Sequence, residues 1–249
     1  MFRPLTILIA AAFLAAPAPA SAALLDKGSF KIFHHDRALG AETFELHEGQ
    51  DSLMVIARQY LSIPTSQGEE AVERAAELLV RRTDYTLRDY QSSRTRRGTT
   101  TTRGLALSDT HYVAHRADQR GGIGESRVLP PGRLYVMDSQ LITLFDMLCR
   151  SFHARSFTSR PINLLALGPR DTLLEARATV LPSETIRWGA KPVLARRLQI
   201  VADSQTTFTL WVGAQGQLLR LSEPVGGLRA ERDAPDVKPR APAKPKPGG

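Results

Sequence analysis

The sequence predicts a mainly β fold, one domain of antiparallel strands with a single principal helix. Three observations carry this. Apolar and polar residues alternate over most of the chain, Gly- and Asp-bearing turns separate the alternating runs, and only one segment has a sustained helical spacing.

Phe30-Lys31-Ile32-Phe33 and Phe44-Glu45-Leu46-His47 follow the period of two of half-buried strands, with turns at His35–Gly40 and His47–Ser52. Leu53–Leu61, rich in Val, Ile and Tyr, is a third strand. Glu69–Val80 is ambiguous. Val72, Ala75, Ala76 and Leu79 fit a helix, and Ala and Glu favour one, yet Arg82–Tyr90 alternates, so a long strand beginning near Ala75 is expected. Arg94–Arg103, rich in Thr and Arg, is expected to be an exposed hairpin end. Leu105–Ala117 resumes a strand, and Gln119–Ser126 reads as a Gly-rich turn.

Pro130-Pro131-Gly132 breaks the chain. Asp138 is placed to cap a helix over Ser139–Phe152. Leu141, Leu144, Phe145, Leu148 and Phe152 share one face, and Ile142, Met147 and Cys149 widen it. Thr143, Asp146, Arg150 and His153 are left as a narrow polar stripe, on which Asp146 and Arg150 can pair at i,i+4. So wide an apolar arc is covered on more than one side. Beyond Pro161, Ile162–Leu167, Thr172–Val180, Thr185–Trp188 and Leu194–Ala202 are strand candidates. Thr206–Val212 and Gln217–Leu221 form a hairpin around Gly213-Ala214-Gln215-Gly216.

The chain ends bear on location. Arg3, the uncharged apolar run Leu5–Ala16 and the small residues Ala20-Ser21-Ala22 order themselves as a cleavable secretory signal over residues 1–22. That run is shorter than the ~20 residues a spanning helix needs, and no later segment is longer, so no transmembrane segment is expected in the mature protein. The expected location is periplasmic or secreted. Residues 23–233 form the β domain. From Ala234 to Gly249, five prolines among Lys, Ala and Gly describe an extended, disordered tail. The single cysteine, Cys149, allows no internal disulfide, so the fold holds by burial alone.

The net charge of +8 divides into Arg3, four arginines in Arg94–Arg103, and a surplus of three in the tail. The rest of the chain is neutral, which is not the surface of a nucleic-acid-binding domain. A weak contact of the basic loop and tail with an anionic envelope surface is the expected use of these charges. No Gly-x-Ser-x-Gly elbow, phosphate-cradling loop, dinucleotide fingerprint or Cys-x-x-Cys pair is present. His111 and His115, on a strand, stand ~13 Å apart, too far for one metal ion. No catalytic residue, metal site or cofactor is assigned.

Gly28-Ser29-Phe30-Lys31-Ile32, followed by the G-x-E-x-F strand Gly40-Ala41-Glu42-Thr43-Phe44, resembles the opening of a group of uncharacterised periplasmic domains. Leu210-Trp211-Val212 with Gly216-Gln217-Leu218-Leu219-Arg220-Leu221 is similar to their closing hairpin. Those domains are related in shape to the LolA and LolB lipoprotein carriers. The resemblance implies a strongly curved antiparallel sheet, a half-barrel with the helix in its concave side, and supplies no catalytic residues.

The functional expectation is reversible binding of a lipid, acyl group or other apolar or amphipathic ligand between sheet and helix. Tyr60, Tyr85, Tyr112, Trp188 and Trp211 of the strands, with Leu141, Phe145 and Leu148 of the helix, are the candidate ligand-binding residues. The helix then acts as a lid hinged at Pro130-Pro131-Gly132 and before Pro161. Two alternatives stand beside this: a non-catalytic scaffold in which the same residues are ordinary core, and a hydrolase whose Ser, His and Asp only the folded chain brings together.

Overall fold

The computed structural model describes residues 22–138, 141–153, 156–168, 171–203 and 206–235. Residues 1–21 of the expected signal and 236–249 of the expected tail lie outside them. Alternation of side chains sets the architecture. In β2 (Arg37–Glu48), β3 (Ser52–Thr65) and β4 (Gly68–Arg81), every second residue is buried over most of each strand, and in β1 (Ala23–His34) Phe30 and Ile32 are. The sequence expectation for the fourth strand is thus extended at its start: the whole of Glu69–Val80 is strand. Its Ala and Glu residues favour helix only weakly, and fourteen ladder partners on β3 override that propensity.

The meander continues through β5 (Leu87–Arg96), β6 (Thr99–Leu107), β7 (His111–Asp118) and β8 (Gly121–Val128). Arg94–Arg103 is the expected hairpin end, two paired strands joined at Arg97-Gly98. One expectation is corrected here. Gln119–Ser126 is not one long turn, since most of it is the edge strand β8. Every residue of β8 is exposed, so its ladder to β7 is its main hold, and no burial pattern marks it in the sequence.

After β9 (Leu134–Asp138), helix α1 (Ile142–His153) crosses to β10 (Ser159–Leu167), which runs parallel to β9. A parallel pair needs such a crossover. The remaining strands are antiparallel: β11 (Thr172–Trp188), β12 (Lys191–Val201), β13 (Thr207–Val212), β14 (Leu218–Glu223) and β15 (Leu228–Arg232). Thr172–Val180 and Thr185–Trp188, separate in the sequence reading, are one strand with a bulge between Leu181 and Glu184 at Pro182.

The fifteen strands of the described residues form one sheet, in the order β8-β7-β6-β5-β4-β3-β2-β1-β15-β14-β13-β12-β11-β10-β9. Inner residues from both halves pack on the same helix, so the sheet is strongly curved, and bulges along it supply bends. It does not close into a barrel, because β8 and β9 are its unpaired edges. Side chains seal the seam. Tyr90 Oη donates to Asp138 at 2.7 Å, and Arg103 reaches Asp171 at 3.2 Å and the Gly168 carbonyl at 2.7 Å.

Candidate functional site

The helix was the expected wall of a ligand cavity, and its surroundings decide what can bind there. Ten of its twelve residues, Ile142 to Cys149 with Ser151 and Phe152, are buried. Phe145 meets the Phe208 ring at 4.8 Å, and Phe152 meets Tyr135 edge-on at 5.6 Å. The space left beside the helix, under Leu78, Val80, Leu134, Met147 and Tyr85, is about 30 Å³. That is the room of a single water rather than an acyl chain.

Both helix ends are fixed by charge. At the start, the Glu42 carboxylate of β2 accepts from the backbone N–H groups of Ile142 at 2.9 Å and Thr143 at 2.7 Å, from the Thr143 hydroxyl and from Gln59 Nε2. Asp138 is therefore not the cap. It ends β9 and takes the hydroxyls of Tyr90 and Ser92. Burial raises the Glu42 pKa, with Thr143, Ile142 and Gln59 acting against it.

The polar stripe is not exposed either. Asp146 is 1% exposed in its side chain, pairs with Arg150 Nε at 2.7 Å and accepts the Leu218 N–H at 2.6 Å. Arg150 also meets Asp26, which in turn holds Arg232 at 2.7 Å. Burial acts to raise Asp26, but Arg232 and Arg150 outweigh it and hold the carboxyl below its usual value. These residues pair with one another because the helix is enclosed where the sequence places water.

The eight candidate ligand residues do not meet in one place. Leu141, Phe145, Leu148 and Tyr112 are core. Tyr85, in a left-handed turn at φ 60°, borders the small void. Tyr60 is 56% exposed on the outer face of β3. Trp211 packs with Ile186, Ala195 and Leu219 in a satellite cluster, and its indole donates to Glu184 at 3.1 Å. Trp188 alone borders a large opening. Its indole N–H donates to the Arg232 carbonyl at 3.1 Å, which anchors the tip of the β11–β12 hairpin.

That opening is a cleft of about 1440 Å³ bordered by the start of β1, the outer faces of β2 and β3, and Trp188. Leu24 and Leu25, each 50% exposed, stand at it beside Ile56, with Lys27 and Arg58 on its rim. Sequence reasoning left these leucines unassigned. Their signal is an apolar pair outside the alternating pattern, at a bulge between Leu24 and Asp26.

Chemistry of the hydrolase kind finds no assembled site among the described residues. His47 meets Glu45 at 3.0 Å and His111 meets Thr110 at 2.9 Å, both exposed. Cys149 is fully buried, and burial pushes its thiol well up.

No protein-family model matches the chain, and no curated protein matches it. Two solved structures are similar. The crystal structure of a beta-barrel-like protein of domain of unknown function DUF1849 from Brucella abortus aligns with a TM-score of 0.55 at 9% identity, over 85% of this chain and 97% of that one. A DUF1089 family protein from Pseudomonas aeruginosa aligns with a TM-score of 0.46 at 13% identity, over 74% of this chain and 90% of that one. The first shares the fold, a barrel-like curved sheet of a domain whose role is not assigned.

Proposed function

We propose that this is a non-catalytic envelope protein that binds an amphipathic ligand, a lipid or acyl group, in the open cleft beside Trp188 rather than between sheet and helix. The observation that carries the reading is the contrast in room: about 1440 Å³ at the cleft against about 30 Å³ at the helix. Exposed Leu24 and Leu25 with Ile56 offer apolar surface, and Lys27 and Arg58 with Asp26, Glu45 and Asp233 give the cleft a mixed-charge border for a polar head group. Burial of apolar surface supplies roughly 0.8 kcal/mol per methylene, enough for a medium acyl chain to offset the cost of association. The secretory signal and the lipoprotein-carrier-like shape that the motifs imply support a periplasmic setting. The helix is then a plug that shapes the sheet, not a lid.

A second reading, a scaffold with no small ligand, is favoured by the enclosure of the helix. One experiment separates the two. Protein purified from its own envelope fraction is examined by native mass spectrometry and titrated with a fluorescent fatty acid. The ligand-binding reading expects a co-purifying lipid and micromolar binding that Trp188→Ala and Ile56→Asp both weaken. Empty protein that ignores the probe rejects it in favour of the scaffold. Binding unchanged in both variants rejects the cleft.

A further inference from the structure

A polar rung crosses the largely apolar inner face of the sheet. Glu42, Gln59, Arg74, Arg94 and Thr101 are consecutive ladder partners across β2 to β6. The rung starts at the helix N-terminus, where Glu42 and Gln59 bond to each other. It ends at the seam of the open barrel, where Arg74 and Arg94 stand directly opposite one another on neighbouring strands. Like charges so placed destabilise a sheet. Arg103, on the next strand, adds a third guanidinium to the same place.

These three arginines line a recess of about 130 Å³, with Ser92, Thr101 and Asp138. A water occupies ~30 Å³ of liquid, so the recess has room for roughly four waters, or one small oxyanion. The nearby carboxylates do not balance it. Asp138 serves Arg74 at 3.5 Å while also accepting from Tyr90 and Ser92. Asp171 serves Arg103. Arg94 has no ion pair among the described residues, and its Nε is fully enclosed with no hydrogen-bond partner. Burial, with Arg74 and Arg96 beside it, pulls Arg94 below the usual guanidinium value, and the carboxylates Asp138 and Glu70 offset this only in part. A part-buried guanidinium whose Nε has no partner, facing a second guanidinium, is costly.

We propose that the seam recess formed by Arg74, Arg94 and Arg103 is a binding site for a phosphate-sized oxyanion, free or as a phosphate head group. Guanidinium groups match such oxygens in pairs, and Ser92 and Thr101 add hydroxyl donors. An anion there relieves the repulsion between Arg74 and Arg94 and restores charge balance. This site is separate from the Trp188 cleft and does not depend on it.

The test uses the full chain with inorganic phosphate, with glycerol 1-phosphate, and with phosphatidylglycerol against phosphatidylcholine vesicles, at constant ionic strength. Calorimetric titration is expected to show phosphate binding, with a rise in Tm, that Arg94→Gln weakens about tenfold or more while Arg94→Lys keeps most of it. Without phosphate, Arg94→Gln should melt at or above the wild type, since it removes a repelled charge. Binding of both soluble phosphates assigns a free oxyanion. Sedimentation with phosphatidylglycerol vesicles that Arg94→Gln abolishes assigns a lipid head group. A wild type that ignores all the probes, binding unchanged in Arg94→Gln, or a phosphate-free Arg94→Gln that melts well below the wild type overturns the proposal.

Discussion

Glu42 accepts the backbone N–H of Ile142 at 2.9 Å, although the two residues lie 100 positions apart in the chain. The first free amides of a helix are usually satisfied by the residue just before it. Here a strand does it, from across the core, and the helix start is locked to β2. The G-x-E-x-F run that opens the fold acquires a physical reading from this. Gly40 lets backbones approach, Glu42 caps the helix, and Phe44 stacks on Phe30 with centroids 5.5 Å apart.

Replacing Glu42 separates cap from charge. Glu42→Ala leaves buried N–H donors without an acceptor and should cost about 2–4 kcal/mol in urea denaturation. Glu42→Gln should cost less and should also change the pH response. The folded pKa lies above the ordinary 4.5, so the fold holds a proton that the unfolded chain releases. The contribution is full below 4.5 and is lost as pH rises through the raised value. The wild type's margin over Glu42→Gln should therefore shrink with rising pH. A constant margin from acid to neutral pH rejects this account.

Gly40→Ala should destabilise strongly. A Cβ on Gly40 would lie 2.0 Å from the Tyr60 carbonyl oxygen, and the opposing atom is backbone, so no side chain can swing aside. The cost is expected to be about 3 kcal/mol or more, in the range of steric and strain defects. Gly68, which meets nothing within 4 Å, is the control for space, though its φ of 114° still strains a side chain. A thermal melt of Gly40→Ala within a degree or two of the wild type contradicts the contact.

Much of this fold is legible in the sequence because β2 and β3 bury alternate residues over long runs, and the helix centre has an apolar arc that nothing else in the chain resembles. What escapes is whatever depends on distant partners. Glu42 looks like an ordinary polar strand residue until the helix is placed against it. Asp146 and Arg150 look like a solvated i,i+4 pair, yet Asp26, Leu218 and Arg232 enclose them. Arg94 looks like part of a basic loop and instead faces inward at the seam. Trp188 is picked out by its size, but Leu24 and Leu25 gain meaning only once the cleft forms around them.

Cys149 should be silent to thiol reagents in the native state. It is fully enclosed, and burial, with Asp146 adding to it, pushes the thiol far from its reactive form. Labelling by iodoacetamide, read by mass spectrometry, should follow global unfolding in urea. Fast labelling of folded protein shows that the helix opens locally.

The cluster at the helix C-terminus gives the sharpest stability test. Asp26, Arg150, Asp146 and Arg232 alternate in sign, and each removal strands a buried charge. Asp146→Ala also orphans the Leu218 N–H, so a loss of about 3–5 kcal/mol is expected. Arg150→Ala should cost a comparable amount, and the double variant clearly less than the sum, because each single change already breaks the same bond. The pH sign runs opposite to that of Glu42. The Asp26 pKa is depressed, so its contribution is present above the ordinary 3.8 and is lost as pH falls through the lower folded value. Asp26→Asn should therefore be less stable than the wild type at neutral pH and should converge on it in acid. Additive losses for Asp146 and Arg150, with an Asp26→Asn deficit that persists unchanged into acid, mean that the four charges do not act together.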